Sequence, residues 1–278
     1  MSYKSILVQL DPSERAYARL DLALRVAKLF DAHLTGLFSN FEPEPRSFYV
    51  VATADYYRQH EDLRAERRVV LERQFLAELS RTQIQGEWIA TDEDANIAVR
   101  RRGRCSDLII AGQDDLNDPE AYIGDHFQEN LIMTAGRPVV MVPYAGTFPS
   151  PGTHVMVAWD GSREAARAVH DALPFIVHAR RTTVVAVNGE PGVARGSRIP
   201  GSEIAAVIAR HGANVEVNEI EAGSGVSICD VLLSHLADIG ADLLVMGVYG
   251  HARWHELVMG GATRTFLKSM TTPVLMSH

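Results

Sequence analysis

SILVQLDPSERAYARLDLAL (residues 5–24) and HVMVAWDGSREAARAVHDAL (residues 154–173) are two versions of one pattern. In each, a short apolar run ends at an aspartate, Asp11 or Asp160, and a serine follows two residues later, Ser13 or Ser162. An alanine- and leucine-rich stretch comes next, and at the constant offset of 149 Ala16 falls on Ala165 and Ala23-Leu24 on Ala172-Leu173. A second pair of blocks closes each half. SDLIIAG (106–112) matches ADLLVMG (241–247), and RPVVMVP (137–143) matches TPVLMSH (272–278), both at an offset of 135. The change from 149 to 135 puts 14 extra residues in the first half, around Phe41 to Arg68. Blocks in register at both ends of both halves imply two domains, 1–145 and 153–278, joined by the linker AGTFPSPGT (145–153) with its Gly, Pro and Ser.

Within each half, Val/Ile/Leu-rich runs alternate with helical patterns. Strands are expected at Ser5–Leu10, His33–Phe38, Gly86–Ala90, Asp107–Ala111 and Pro138–Val142, then at His154–Trp159, Thr182–Val187, Asn214–Ile220, Asp242–Met246 and Pro273–Met276. Continuous apolar runs suit strands covered on both faces, as in parallel sheets. Helices are expected at Glu14–Phe30, Ala54–Arg81, Ala165–His178, Ser202–His211 and Ser227–Ile239, with Asp160-Gly161-Ser162 supplying turn and N-cap chemistry. The fold class that follows is α/β, with two tandem doubly wound five-stranded parallel-sheet domains. Such sheets take ligands beyond the carboxyl ends of their strands, where the strand order reverses.

Composition narrows the function classes. A length of 278 residues suits two domains of about 100–200 residues each. Apolar residues at 46% with charged residues at 22% describe a globular chain rather than a disordered one. No apolar run reaches the roughly 18 residues of a membrane helix, and the run before Asp11 is too short for a signal peptide. The expected compartment is the cytoplasm, with no membrane partner. A net charge of −8 argues against non-specific nucleic-acid binding, which depends on excess Lys and Arg. The two cysteines, Cys105 and Cys229, make neither a disulfide framework nor a zinc site, and both are expected to be packed.

The chemistry is sought in GVYGHARWHELVMGGATRTFL (247–267). Gly247, Gly250, Gly260 and Gly261 let the backbone turn and let a ligand approach the amides. A helix N-terminus following Gly260-Gly261 would aim free N–H groups at an anion, with Ala262 among the residues expected to bind it. Thr263 adds a hydroxyl, and His251, Arg253 and Arg264 add polar or positive groups. A glycine-rich loop that is merely a turn is the plain alternative.

The spacing of these glycines resembles the universal stress protein family, whose ATP-binding members carry G-x2-G-x9-G-[S/T] after the fourth strand. Gly247, Gly250 and Gly260 match it; Gly261 departs from it by lacking the hydroxyl, and Thr263 matches a second hydroxyl position. The resemblance covers essentially the whole chain and both terminal-strand motifs, PVVMVP and PVLMSH. It implies that Asp160 contacts the nucleoside, that the backbone at Val187 grips adenine and that Met246 packs near the nucleotide. ATP, accompanied by Mg2+, is the implied cofactor. Pairing of the two domains through their last strands, and a homodimer of the whole chain, are the implied assemblies.

The first half departs further. At the offset of 135, Asp115 stands in place of Gly250 and Asp125 in place of Gly260. With Asp114, Asp118 and Glu120 these carboxylates would repel a triphosphate, so this domain is expected not to bind nucleotide. The acidic cluster follows no calcium- or magnesium-loop spacing and reads as a solvated loop rather than a metal site. His251 and His255, with Glu256, lack the further ligand zinc needs. On Ala54–Arg81, Arg58, Arg64, Arg67, Arg68 and Arg73 mix with Glu61, Glu66 and Glu72, a pattern expected to form a solvated face.

Three functions remain in order: an adenine-nucleotide sensor or switch working through the second domain, a scaffold that binds no nucleotide, and an enzyme. No residue stands out as a general base, so at most slow ATP hydrolysis is expected, and no catalytic or metal-ligating residue is assigned.

Overall fold

The computed structural model describes residues 2–41, 54–115, 118, 123–124, 126–187, 201–221, 226–248 and 266–278, with side chains omitted over 54–61. The chain divides into two compact units, residues 3–137 and residues 138–278.

The first unit runs β1 (Ser5–Leu10), α1 (Ala16–Phe30), β2 (His33–Ser39), α2 (Ala54–Thr82), β3 (Gly86–Thr91), α3 (Ala95–Gly103), β4 (Leu108–Gly112) and α4 (Phe127–Thr134). Its strands lie in the order β3-β2-β1-β4, all parallel. The second unit contains β5 (Val139–Val142), β6 (His154–Trp159), α5 (Arg163–Asp171), α6 (Leu173–His178), β7 (Arg181–Val187), α7 (Ser202–Arg210), β8 (Val215–Ile220), α8 (Ile228–Asp238), β9 (Leu243–Gly247) and β10 (Val274–Ser277). Its order is β5-β10-β9-β6-β7-β8, parallel except where β5 runs antiparallel to β10. The fold is doubly wound α/β. β5 closes the first half in sequence, yet it packs with the second unit through Met141 opposite Val274 and Val139 opposite Met276.

The central strands are as apolar as their surroundings require. Ile6–Leu10 of β1 and Val155–Ala158 of β6 are buried without a break, as strands with both faces covered must be. β3 and β8, last in their units, are only half-buried, so Glu87, Glu216 and Glu219 keep their charges near water.

The helix expected over Ala165–His178 is two helices. Pro174 has no N–H to donate to the preceding turn, so α5 ends at Asp171 and α6 starts afresh with proline in its first turn. At the start of α5, Gly161 takes φ +77° and Ser162 accepts the Ala165 N–H at 3.1 Å, the N-cap expected and worth about 1 kcal/mol. Cys229 is buried, whereas Cys105 is exposed rather than packed.

One arrangement recurs in both units. Asp107, just ahead of β4, accepts the Lys4 and Ser5 amides at 2.7 and 3.0 Å. Asp242, just ahead of β9, accepts the Thr153 and His154 amides at 3.2 and 3.0 Å. Each carboxylate thereby ties the start of the fourth strand of its half to the start of the first.

Candidate functional site

In the second unit β6 lies between β7 and β9, so the chain leaves it on one side and returns on the other. The carboxyl ends of β7, β6 and β9 bring Val187, Asp160 and Met246-Gly247 together. Val187 is the last residue of β7 and Gly247 the last of β9; Met246 is buried, opposite Ala158 of β6. Asp160 follows β6 directly and is half-buried. Its Oδ1 accepts the Ser162 N–H at 2.9 Å, and among the described residues its other oxygen takes no hydrogen bond.

Gly247 is required by packing. A Cβ there would lie 2.3 Å from the amide nitrogen of Ala165, against the first turn of α5. The short side chains of Ala158, Ala165 and Ala168, all buried, let α5 settle onto β9 this closely. The N-terminus of a capped helix is thus held beside Asp160 and the exit of β9. Gly250, Arg253, Gly260, Gly261, Ala262 and Thr263 lie outside the described residues, as do His251, His255, Glu256 and Arg264.

The first unit begins identically and ends differently. Asp11 Oδ1 accepts the Ser13 N–H at 3.1 Å, the same turn as Asp160–Ser162. Its side chain also receives the Ser13 hydroxyl, the Gln9 amide at 3.1 Å and Arg19 Nη2 at 2.7 Å. Arg19 Nη1 reaches Gln9 Oε1 at 2.5 Å, and Arg19 packs against the Cα of Gly112. Asp11 and Arg19 are 4% and 3% exposed, so their ion pair is sealed beneath α1 and offers nothing to a ligand. The matching positions in the second half are Ala158 for Gln9 and Ala168 for Arg19. A glutamine and an arginine in otherwise apolar runs were the available signal for this pair. Of the acidic loop, Asp114, Asp115 and Asp118 are described, Glu120 and Asp125 are not, and no group of three potential metal ligands occurs among the described residues.

A polar relay crosses β6, β7 and β8 near their amino ends and has no conspicuous sequence signature. Thr183 donates its hydroxyl to Glu216 Oε1 at 2.8 Å, which leaves its oxygen to accept Nε2–H of His154 at 2.9 Å. Arg181 pairs with Glu216 Oε2 at 2.9 Å. Burial, and next the charge of Arg181, push the His154 imidazole below its ordinary pKa, against the opposing pull of Glu216 and Asp242. The Arg181 hydrogen bond holds the Glu216 carboxyl below its ordinary value.

With this geometry in place, comparison with known proteins is informative. Residues 152–278 match the model of the universal stress protein family. Over those residues the chain is similar to a universal stress protein domain. Solved structures resemble the chain over nearly all its length. A universal stress protein from Archaeoglobus fulgidus DSM 4304 covers 98% of this chain and 96% of its own at 18% identity, with a TM-score of 0.70. A functionally unknown protein from Pseudomonas aeruginosa PAO1 covers 99% and 92% at 16% identity, with a TM-score of 0.58. At such identities the likeness is one of fold. No curated protein matches the sequence. No described helix is long and apolar enough to cross a membrane.

Proposed function

We propose that the chain is a cytoplasmic stress-response protein of two universal stress protein repeats, residues 1–145 and 153–278, whose second repeat binds ATP or a related adenine nucleotide as a sensor or switch. The observation that carries this reading is the contrast between two equivalent aspartates. Asp160 stands half-buried at the strand-order reversal with one carboxylate oxygen unbonded among the described residues, whereas both oxygens of Asp11 are consumed under α1. A carboxylate in that position suits the hydroxyls of a ribose. Val187 supplies backbone groups for the base, Met246 packs nearby, and Gly247 brings the chain into the loop carrying Gly250, Arg253, Gly260, Gly261, Ala262 and Thr263 for the phosphates and their Mg2+.

Gly261 lacks the hydroxyl the family usually has, a loss of about 0.5–1.5 kcal/mol and up to roughly tenfold in affinity. Set against the about −8 kcal/mol of a micromolar complex, the deficit weakens the site and leaves it functional. Calorimetry with Mg-ATP on the intact protein and on Gly250→Asp tests the proposal: heat of binding in the first that vanishes in the second supports it, and no heat in either refutes it.

A second reading is favoured by the antiparallel contact of β5 with β10. Strands from the ends of the two repeats would hold them together as an internal pair, and the protein would serve as a scaffold without nucleotide, alone or as a homodimer. The same calorimetry separates the two readings.

A further inference from the structure

Helix α2 carries a stripe that changes character along its length. Leu71, Phe75 and Leu79 are buried on the face toward the sheet, Phe75 meeting Trp88 of β3 at 5.5 Å between ring centroids. Continued toward the N-terminus at helical spacing, that face carries Arg68 and Arg64, with Arg67 beside them. All three are partly buried, unlike the exposed Glu66 and Arg73, so the solvated face expected from the mixed charges does not take in these three arginines fully. Because α2 runs back from the exit of β2, the arginines stand at the carboxyl ends of β1 and β2. Arg67 Nη1 donates to the carbonyl of Pro12 at 2.8 Å, one residue past Asp11. Arg64 lies over the ring of Phe38, 5.9 Å from its centroid, and reaches the carbonyl of Ser39 at 3.5 Å. Arg68 Nε is buried with no hydrogen-bond partner among the described residues.

Four described carboxylates of the first unit have other partners. Asp11 belongs to Arg19, Asp92 accepts from Asn40 at 2.8 Å, Glu93 pairs with Arg101 at 2.9 Å and Asp94 caps α3. Among the described residues none forms an ion pair with Arg67 or Arg68. A guanidinium N–H withdrawn from water without an acceptor is costly, and here it occurs at the end of a sheet where α/β folds receive ligands. The corresponding helix of the second half, α7, has Glu203 in its first turn and no arginine before Arg210 at its end. Among the described residues the second half has no counterpart of this feature.

We propose that the first half binds a phosphate group, as the free ion or at the end of a small phosphomonoester, between Arg67 and Arg68 with Arg64 alongside. The planar fork of arginine matches phosphate oxygens two at a time, and a dianion supplies the acceptors that Arg68 Nε lacks. This site is built from residues of the first half alone.

The test is calorimetry of the full-length Gly250→Asp protein, which disables the glycine loop, with inorganic phosphate and with glycerol 3-phosphate at constant ionic strength. One equivalent is expected to bind, about tenfold or more weakly after Arg68→Ala or Arg67→Ala and with a smaller loss after Arg68→Lys. Tighter binding of glycerol 3-phosphate identifies an ester as the ligand, and equal binding identifies the free ion. Failure of both to bind the parent, or binding indifferent to Arg67→Ala and Arg68→Lys with circular dichroism showing both variants folded, overturns the proposal.

Discussion

Arg19 Nη2 meets Asp11 Oδ2 at 2.7 Å beneath helix α1, and both side chains are sealed from solvent. The second half has Ala168 where the first has Arg19, and there helix α5 packs directly on Gly247. Where the first half has Gln9 and Arg19 its aspartate is locked into the interior, and where the second has Ala158 and Ala168 its aspartate is half-buried and makes a single described hydrogen bond.

Removing the arginine leaves the carboxylate buried without its partner. Arg19→Met is expected to destabilise the first unit by about 3–5 kcal/mol, the range for breaking a buried pair from one side. Asp11→Asn combined with Arg19→Met should recover much of that loss, because neither charge then remains. Urea denaturation of both single variants and the double variant measures the coupling. Additive effects would mean that the pair does not act as a unit.

Gly247 and Gly112 occupy matching strand ends and meet different neighbours. A Cβ on Gly247 strikes the backbone of Glu164 and Ala165, which can yield only if α5 moves; a Cβ on Gly112 strikes the tip of Arg19. Gly247→Ala is expected to cost about 1–3 kcal/mol, the usual scale of overpacking, and Gly112→Ala less. Thermal unfolding of the two variants compares them, and a larger loss for Gly112→Ala would show that the ion pair is stiffer than the helix.

Much of this architecture is legible in the sequence because parallel strands covered on both faces are built from apolar runs, as Val155–Ala158 is throughout and Ile6–Leu10 is except for Gln9. The offsets of 149 and 135 locate corresponding aspartates that perform corresponding hydrogen bonds, Asp11 with Asp160 and Asp107 with Asp242. What escapes such a reading depends on side chains far apart in the chain. Periodicity places Arg64, Arg67 and Arg68 on a helix of mixed charge, but only the packing of α2 against β2 and β3 shows which of them overhang the strand ends. Likewise Thr183 and Glu216 look like ordinary strand residues until register aligns them beside His154.

The relay on β6, β7 and β8 makes stability fall with acid. A histidine whose folded pKa is depressed contributes stability that is present above its ordinary value of 6.5 and is lost as pH falls through the folded value. Glu216, also depressed, behaves alike from its ordinary value of 4.5 downward. On lowering pH from 7, the His154 contribution is therefore the first of the two to fade. In His154→Gln the amide can still donate to Thr183 but cannot titrate. Denaturation at pH 7 and pH 5.5 should show a smaller loss in this variant than in the parent protein, and equal losses would remove His154 from the pH response.

The contrast between the two aspartates is separable by experiment, because each should control a different property. Asp160→Ala removes a carboxylate that makes one backbone hydrogen bond among the described residues, so stability should fall by only about 1 kcal/mol. If that carboxylate also receives ribose hydroxyls, each hydrogen bond to a charged group is worth about 1.5–3 kcal/mol, and ATP affinity should drop by about tenfold to a hundredfold. Asp11→Ala should do the reverse. It strands Arg19 in the interior at a cost of about 3–5 kcal/mol, yet ATP affinity at the second half should stay within about twofold at a temperature where the variant is folded. Calorimetric titration with Mg-ATP beside urea denaturation of each variant gives both quantities. Equal losses of affinity from the two variants would mean that the first half takes part in nucleotide binding, and an unchanged affinity in Asp160→Ala would detach the ribose from Asp160.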